Sequence, residues 1–263
     1  MSARTAILRL ESRRRVRSSL VLSGLFVLLG AFYISIYPGF AEDAEDIVEA
    51  FPEFMLEMLG IDALHTIEGF IAAELYSVFW VLLVGAYFAA LGAGLIARDV
   101  DTRRLDLTLS YPVSRESVLL QKVAALWLPL LVLNVAVAAV VFVGPLFVGE
   151  SIDPVAVTMV HLLSVPYLLV CVGIGLAFSV TTNRARTARS GAIGAVILLW
   201  IVETVSTLDE SVEWVGDLTP SRYYHETAIL VHEEYAVGDA LLLTAVFVVL
   251  LVACLARFVR RDI

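Results

Sequence analysis

Several kinds of chemistry are missing from this sequence. Only two cysteines are present, Cys171 and Cys254, and both lie inside long apolar runs, so the sequence predicts neither a disulfide framework nor a cysteine metal site. The single lysine, Lys122, follows no glycine-rich loop, whereas a P-loop needs backbone amides and a lysine to hold nucleotide phosphates. We therefore expect no nucleotide site in this chain and no ATP hydrolysis by it.

Hydrolase motifs are missing as well. A zinc protease would need His-Glu-x-x-His, but His225-Glu226 and His232-Glu233 both lack the second histidine. The sequence also has no Gly-x-Ser-x-Gly turn for a serine nucleophile. We predict no catalytic residue, no metal and no cofactor, and the one open alternative is a metal site formed by His225, His232 and nearby glutamates.

Basic residues are absent from long apolar stretches and occur in four clusters. Seventeen of the eighteen basic residues lie within 4–17, 98–122, 184–189 and 257–261, and only Arg222 falls elsewhere. Positive charge near the ends of membrane spans marks the cytoplasmic side. The pattern predicts an even number of spans, with the N-terminus and the C-terminus both cytoplasmic.

The apolar stretches between these clusters are long enough to cross a membrane. With 60% hydrophobic residues and a mean hydropathy of +0.88, the chain lies well outside the soluble globular class. A spanning helix needs roughly 20 mostly apolar residues, and the segments that qualify are 18–37, 75–97, 123–148, 154–181, 190–208 and 240–256. The predicted fold class is all-α integral membrane, with six transmembrane helices in a single transmembrane domain over 1–263.

The basic segment 4–17 leads into the first apolar stretch. Ile7, Leu8 and Leu10 are interleaved with its arginines, which predicts an interfacial helix on the inner membrane surface, with a disordered basic tail as the alternative. The first apolar run is too long for a typical signal peptide and ends in Tyr-Pro-Gly followed by acids. We predict that it is retained as a membrane helix.

Acidic residues are concentrated on the other predicted side of the membrane. Twenty of the twenty-seven acids lie in segments predicted to be outside, which hold one base. This excess favours a solvated surface over a cation site. Together with one lysine among eighteen basic residues, it leads to the hypothesis that the composition is halophilic.

Apolar residues at three- and four-residue steps within 47–59 predict an amphipathic helix against the outer ends of the spans.

The loop between the second and third predicted spans has the most informative sequence. Leu105 and Leu109 lie four residues apart, so a helix through 101–110 places both on one face. Pro112 ends that helix because it disfavours helical geometry at the preceding residue, and Ser114 is placed to cap the next helix. We predict a short surface helix, joined to two spans by tight turns, that transmits a push from a soluble partner.

Residues 98–122 resemble the first cytoplasmic loop of ABC-2-type permeases, the membrane subunits of ATP-binding-cassette exporters. The shared pattern is a Leu-rich turn of helix, then Ser-x-Pro-Val-Ser-Arg and a later lysine. Here it reads Leu-Asp-Leu-Thr-Leu-Ser-Tyr-Pro-Val-Ser-Arg at 105–115, followed by Lys122. Six spans, an interfacial N-terminal helix, an acidic first outside loop and Ala-Glu-Leu-Tyr at 73–76 extend the resemblance over nearly the whole chain.

The resemblance implies a coupling helix at 101–110 that seats in a groove of a separate P-loop ATPase subunit, which binds the ATP. It also implies a homodimer, or a pair with a similar permease. The residues implied to couple to the ATPase are Arg103, Arg104, Leu105, Asp106, Leu109, Pro112, Val113, Ser114 and Arg115. Arg103-Arg104 replace Gly-Thr of the family pattern, and Asp99 and Asp101 replace a run of Glu, which bears on the identity of the ATPase. The alternative is an ordinary basic loop.

A second resemblance lies between the last two predicted spans. Residues 218–231, in which aromatic residues follow Pro220, resemble the outer re-entrant helical pair of the same family. Thr219 or Ser221 is placed to cap a short helix there, and we expect the lone Arg222 to pair with a neighbouring acid. An ordinary surface loop is the alternative.

Three polar residues inside predicted spans are candidates for the translocation path: Asn134, His161 and Glu203. A hydrogen bond between helices, or for Glu203 a position near the outer water, explains them equally well.

We predict a permease subunit of an ATP-binding-cassette exporter in the cell membrane, in contact with lipid and with no nucleic acid partner. The alternative is an ion- or proton-coupled secondary transporter, which would require paired intramembrane charges and often repeated halves.

Overall fold

The computed structural model describes residues 6–50, 63–208 and 211–261, and in the first helix the side chains of 7–41. The regular elements of these residues are all helical. The α-helices are α1 (Ala6–Ala50), α2 (Ile67–Ile71), α3 (Gly85–Ala93), α4 (Ala97–Asp101), α5 (Arg104–Leu109), α6 (Arg115–Ala124), α7 (Trp127–Val143), α8 (Pro154–Thr181), α9 (Ala185–Ser206), α10 (Glu213–Gly216), α11 (Glu226–Leu230) and α12 (Val237–Val259). A π-helix over Ala72–Val84 joins α2 to α3, and Pro145–Phe147 and Pro220–Tyr223 form 3-10 turns.

Six helical stretches in the described part of the chain are long and apolar enough to cross a membrane, as the sequence predicted. They are Ile7–Ala41, Ile67–Ala93, Arg115–Phe147, Pro154–Thr181, Ala185–Ser206 and Val237–Val259. Each overlaps one predicted segment, and the fourth coincides with its prediction. Large apolar side chains such as Leu28 and Val249 point outward from these helices, which suits surroundings of hydrocarbon.

The first helix is much longer than the predicted span. It runs without interruption from Ala6 to Ala50 and includes Pro38, whereas the predicted span ended at residue 37. The basic segment is therefore helical from Ala6 and continuous with the span, while its position on the membrane surface stays a prediction. Residues 51–59 of the predicted amphipathic helix, and Arg4 of the first basic cluster, lie outside the described residues.

The fourth span, α8, is the centre of the bundle. It packs against α3, α7, α9 and α12, and over half of its most apolar window is buried. Its beginning is fixed by local chemistry, because Asp153 Oδ1 accepts hydrogen bonds from the amides of Val155 (2.7 Å) and Ala156 (2.9 Å). Pro154 occupies the first helical position, where the missing N–H has no intrahelical partner to lose.

Small residues allow α3 and α8 to cross with their backbones in contact. A Cβ atom built on Gly175 would collide with the Ala89 carbonyl oxygen, and one on Gly92 with the Val172 carbonyl oxygen. Small residues let membrane helices approach closely, and here they do so between the second and fourth spans. Neither residue tolerates a side chain without separation of the two helices.

The second span contains thirteen residues of π-helix between α2 and α3. Tyr76 and Trp80 of this segment lie in the core, where both are fully buried. π-Helical turns are rare and occur frequently at functional sites. No sequence pattern predicted this winding, and Tyr76 within it contacts one of the polar groups described below.

Candidate coupling site and polar clusters

The four basic clusters of the sequence meet at one end of the bundle, which we call the basic end. Lys122 contacts Glu11 of α1, at 3.1 Å from Nζ to Oε1. The Arg115 guanidinium donates to the Arg261 carbonyl, and the Arg261 guanidinium donates to Asn183 Oδ1. The contacts therefore place all four basic segments on the same side, as the charge pattern predicted.

Helix α5 is a single short element on this end. It begins at Arg104, later than the predicted 101–110, because α4 ends at Asp101 and Arg103 has a left-handed backbone with φ of 54°. It ends at Leu109, before Pro112, as predicted. The chain thus makes a tight break on each side of a helix of one and a half turns.

The two faces of α5 differ in exposure. Leu105 is completely buried and anchors the helix to the bundle, whereas Leu109 is only half-buried. Leu107 and Tyr111, also four residues apart, are instead 68% and 69% exposed. The sequence contained both pairs, but helical spacing alone does not tell which pair points outward.

The outward surface of this loop combines those apolar groups with charge. Arg103, Arg104 and Asp106 are all exposed beside Leu107 and Tyr111. Val113 is half-buried, and Pro112 and Ser114 are exposed. We call the group Arg103, Arg104, Asp106, Leu107 and Tyr111 the α5 surface.

Ser114 and Arg115 have roles inside the chain. The Ser114 hydroxyl accepts a hydrogen bond from the Ser117 amide at 3.2 Å and caps α6, as predicted. Arg115 donates through Nη1 to the carbonyls of Phe258 (3.4 Å) and Val259 (3.3 Å) in the last turn of α12. These orphan carbonyls are a favourable site for a cation, so Arg115 ties the coupling loop to the sixth span.

Further contacts join the fourth span to this network. The hydroxyl of Ser179 near the end of α8 accepts from the amides of Ile96 (2.9 Å) and Ala97 (3.0 Å), at the start of α4. Arg261 donates through Nη1 to the Val180 carbonyl at 3.0 Å and through Nη2 to the Thr182 carbonyl at 2.9 Å. The end of α8 is therefore bonded both to the start of α4 and to Arg261, which follows α12.

The fifth span is joined through Asp101. Its Oδ2 accepts from the Ala185 amide at the first position of α9, at 3.2 Å. Side chains around α5 thus reach the ends of α8, α9 and α12, and α6 continues into the third span. Displacement of α5 would therefore act on several spans together.

A buried ionic cluster lies beneath the loop. Lys122, which is 3% exposed, contacts Asp99 Oδ2 at 2.6 Å as well as Glu11. Arg15 contacts the other Glu11 oxygen at 3.1 Å. The sequence motif that contained Lys122 gave no indication of these partners. Glu11, for example, lies more than a hundred residues earlier in the chain.

Asn134 and His161, two of the three predicted path residues, are in direct contact. His161 Nδ1 lies 3.1 Å from Asn134 Oδ1, and its Nε2 lies 2.8 Å from the Tyr76 hydroxyl. The Asn134 amide nitrogen donates to the Leu130 carbonyl at 2.9 Å, so its Oδ1 faces His161 as an acceptor. His161 Nδ1 therefore donates to Asn134. In a neutral imidazole its Nε2 then accepts from the Tyr76 hydroxyl.

An apolar cavity of about 470 Å³ adjoins this polar group. Asn134 and His161 form part of its wall, and most of the remainder is apolar, including Trp127, Leu131 and Leu241. The cavity can hold a largely hydrophobic group next to a small number of hydrogen-bonding atoms.

Glu203 lies apart from this pair, near the end of α9 opposite the basic end. Thr219 donates to its Oε2 at 2.7 Å, and Arg222 Nη1 lies 3.6 Å from its Oε1. Arg222 also contacts Glu213 at 2.6 Å and Asp217 at 3.6 Å, which confirms the expected pairing of this lone base. These contacts explain Glu203 structurally, and its place on a translocation path stays a prediction.

The segment between the fifth and sixth spans contains short helices, α10 and α11, with a 3-10 turn between them. Neither predicted cap forms at this turn. The Thr219 hydroxyl proton is shared between Glu203 and the Gly216 carbonyl and its oxygen accepts from no helix amide, and Ser221 Oγ has no hydrogen-bond partner among the described residues. The Tyr224 hydroxyl donates to the Val160 carbonyl at 3.0 Å and holds the segment against α8. At the start of α11, desolvation by the surrounding protein raises the pKa of the half-buried Glu226 to about 7.

The alternative metal site finds no support in the geometry. Across the described ranges, no three histidine, cysteine or carboxylate side chains are grouped closely enough to hold a metal ion.

A family model described as ABC-2 family transporter protein matches residues 5–263. A search of curated proteins finds no match. The family match covers all six spans as well as the α5 surface.

Proposed function

The chain belongs to the ABC-2 family of transporter proteins, and from this membership we propose that it is the permease subunit of an ATP-binding-cassette exporter. It is a multi-pass protein of the cell membrane and a component of membrane transport. The finer proposal is that a separate P-loop ATPase binds and hydrolyses ATP, and that its groove receives α5. The basic end would then face the cytoplasm, in agreement with the charge pattern.

The observation that supports the docking proposal best is the construction of α5. The α5 surface presents two large apolar groups and two arginines, whereas the buried Leu105 anchors the helix to the bundle. Buried apolar and aromatic anchors with surrounding charge are typical of protein interfaces. The bonds of Arg115, Asp101 and Arg261 would carry motion of α5 to the spans.

In the proposed cycle, two permeases, either two copies or one copy with a similar chain, face each other above two ATPases. Closure of the ATPases on ATP would displace both α5 helices and alternate access along a path between the permeases, each a single domain over 1–263. The cavity beside Asn134 and His161 is the candidate for contact with the cargo, since it joins an apolar wall to fixed polar atoms.

The test is recovery of an ATPase with the tagged chain, purified in mild detergent and analysed by mass spectrometry. The wild type should recover a P-loop protein in stoichiometric amount. Leu107→Asp and Tyr111→Asp should each lower that recovery by about tenfold or more, because a charge replaces an apolar anchor. Leu218→Asp is the matched control, since Leu218 is 70% exposed but far from α5, and it should leave recovery unchanged.

Arginine variants separate docking from internal support. Arg104→Glu should reduce ATPase recovery without a change in thermal stability, because Arg104 is exposed. Arg115→Gln should instead lower thermal stability by about 1–2 kcal/mol, since it removes the cation from the α12 carbonyls. Equal behaviour of the two variants would contradict the assignment of α5 as the docking surface.

The competing proposal is an ion- or proton-coupled carrier, and the buried chain of Tyr76, His161 and Asn134 is the observation in its favour. Absence of any P-loop protein, also after crosslinking from position 111, would overturn the permease proposal and favour this one. Transport driven by an imposed proton gradient, and abolished by His161→Gln, would then support the carrier.

A further inference from the structure

A cavity of about 230 Å³ lies at the basic end, apart from the exposed side chains of the α5 surface. It lies between α1, α3, α4, α6 and α9, and Ser18, Tyr87 and Leu91 form part of its wall. The volume is several times the roughly 30 Å³ that one water molecule occupies in the liquid. It is therefore large enough for a small polyatomic group.

The wall of this cavity carries an excess of positive charge. Its cations are Arg14, Arg15, Arg98, Lys122 and Arg189, against the two carboxylates of Glu11 and Asp99. Lys122, Arg14 and Arg15 share those carboxylates. In the part of the chain that the structure describes, Arg98 and Arg189 make no ion pair, so the cavity has net charge available for an anion.

Two hydrogen-bond donors at the cavity lack partners. Arg15 Nη1 and the Tyr87 hydroxyl are both buried, and neither has a hydrogen-bond partner among the described residues. They come from different helices, α1 and α3, and both line the same space. Buried donors are satisfied in most proteins, so a ligand with acceptor oxygens would complete both.

We propose that this cavity binds the phosphate group of an anionic phospholipid. A phosphate accepts several hydrogen bonds at once and matches guanidinium groups in charge and geometry. The lipid source is favoured over free phosphate because Val21 and Leu25, one and two helical turns after Ser18 on α1, are exposed and offer an apolar surface to an acyl chain. The proposal does not depend on an ATPase partner.

Occupancy would also bear on the coupling loop. The bound phosphate would lie beside Asp99 and Lys122, which flank α5 in the chain. An anionic lipid would thus brace α1 against the segment that carries the α5 surface. The expected consequence is a transporter whose stability depends on the anionic lipid content of the membrane.

The experiment measures thermal unfolding of the full chain in detergent micelles with increasing phosphatidylglycerol, and with phosphatidylcholine as the zwitterionic reference. Phosphatidylglycerol should raise the unfolding temperature of the wild type and phosphatidylcholine should not. Tyr87→Phe should increase the half-saturating phosphatidylglycerol fraction about tenfold. In phosphatidylcholine it should unfold at the same or a higher temperature, because it removes an unpartnered buried hydroxyl.

Two controls decide between a built site and general attraction. Arg15→Gln should weaken the response like Tyr87→Phe, whereas Arg13→Gln, on the same helix but exposed and away from the cavity, should not. The phosphatidylglycerol preference should persist in about 1 M KCl, where screening has a length of only ~3 Å and suppresses surface attraction. Equal loss in Arg13→Gln, or an unchanged response in Tyr87→Phe, would overturn the proposal.

Inorganic phosphate in phosphatidylcholine micelles, at matched ionic strength, tests the other source of the same chemistry. A rise in unfolding temperature equal to that from phosphatidylglycerol, and lost in Tyr87→Phe, would assign the cavity to free phosphate and overturn the lipid proposal. No response to phosphate together with a full response to phosphatidylglycerol supports the lipid.

Discussion

At the scale of single residues, the same residue type has opposite tasks at neighbouring positions. Arg104 is exposed on α5, while Arg115 bonds to the carbonyls that end α12. Leu105 is buried and Leu107 is exposed. Whether a side chain is exposed or bonded inside the chain depends on its neighbours in the fold. A motif that treats 103–115 as one docking segment does not distinguish the exposed residues from the internal ones.

Glu226 gives a pH-dependent prediction at this scale. Its pKa of about 7 lies above the ordinary glutamate value of 4.5, so between these two pH values the folded chain holds a proton that the unfolded chain has lost. This contribution is present at low pH and is lost as the pH rises from about 4.5 to about 7. Glu226→Gln should therefore unfold at a higher temperature than the wild type at pH 8, with a smaller difference at pH 5. Glu234→Gln, at an exposed position of the same segment, should show no such trend.

At the scale of elements, the α3–α8 crossing is the contact that most restricts the bundle. Carbonyl oxygens of Ala89 and Val172 occupy the space that a side chain on Gly175 or Gly92 would need. Backbone atoms cannot move aside as a flexible side chain does, so the helices themselves would have to separate. The cost of overpacking of this kind is about 1–3 kcal/mol.

Gly175→Ala should accordingly lower the free energy of unfolding of the purified chain by about 1–3 kcal/mol. Gly194→Ala is the matched control, because this glycine also lies within a helix but has open space where a Cβ would be. The control should be neutral or stabilising, since alanine favours helix by about 1 kcal/mol over glycine. Equal destabilisation by both changes would show that the crossing is looser than the structure indicates.

At the scale of the whole molecule, charge is divided between the ends. The four basic clusters meet at the basic end, while Arg222 alone faces acids at the other. Crowded like charges destabilise a compact state and are screened by salt. Salt that screens the repulsion among the basic clusters, and among the acids of the opposite end, should therefore stabilise the fold. The dependence of stability on salt thus tests the halophilic character inferred from composition.

The unfolding temperature should rise by about 5 °C between dilute buffer and molar KCl, equivalent to roughly 1–2 kcal/mol for a chain of this length. Conversion of Glu42, Asp43, Glu45 and Asp46 to the corresponding amides should reduce this salt dependence without a change in side-chain size. Equal stability of the wild type in dilute buffer and molar KCl would remove the halophilic hypothesis.

The sequence by itself determined the number of spans, the helical class, the gathering of basic clusters on one side and the cap at Ser114. These features depend on run length, charge near span ends and residues a few positions apart, all of which are local. It also carried enough of the α5 motif to indicate the ABC-2 family, which the match over 5–263 confirmed.

Only the tertiary structure decided which leucine of α5 is exposed, which helix end Arg115 caps, and that His161 contacts Asn134 and Tyr76. It also placed Lys122 beside Glu11 and put the unpartnered Arg15 and Tyr87 groups on one cavity. The physical reason is that periodicity identifies a helix face without its direction. Hydrogen bonds and ion pairs join side chains far apart in the chain, and their partners are set only when the helices pack.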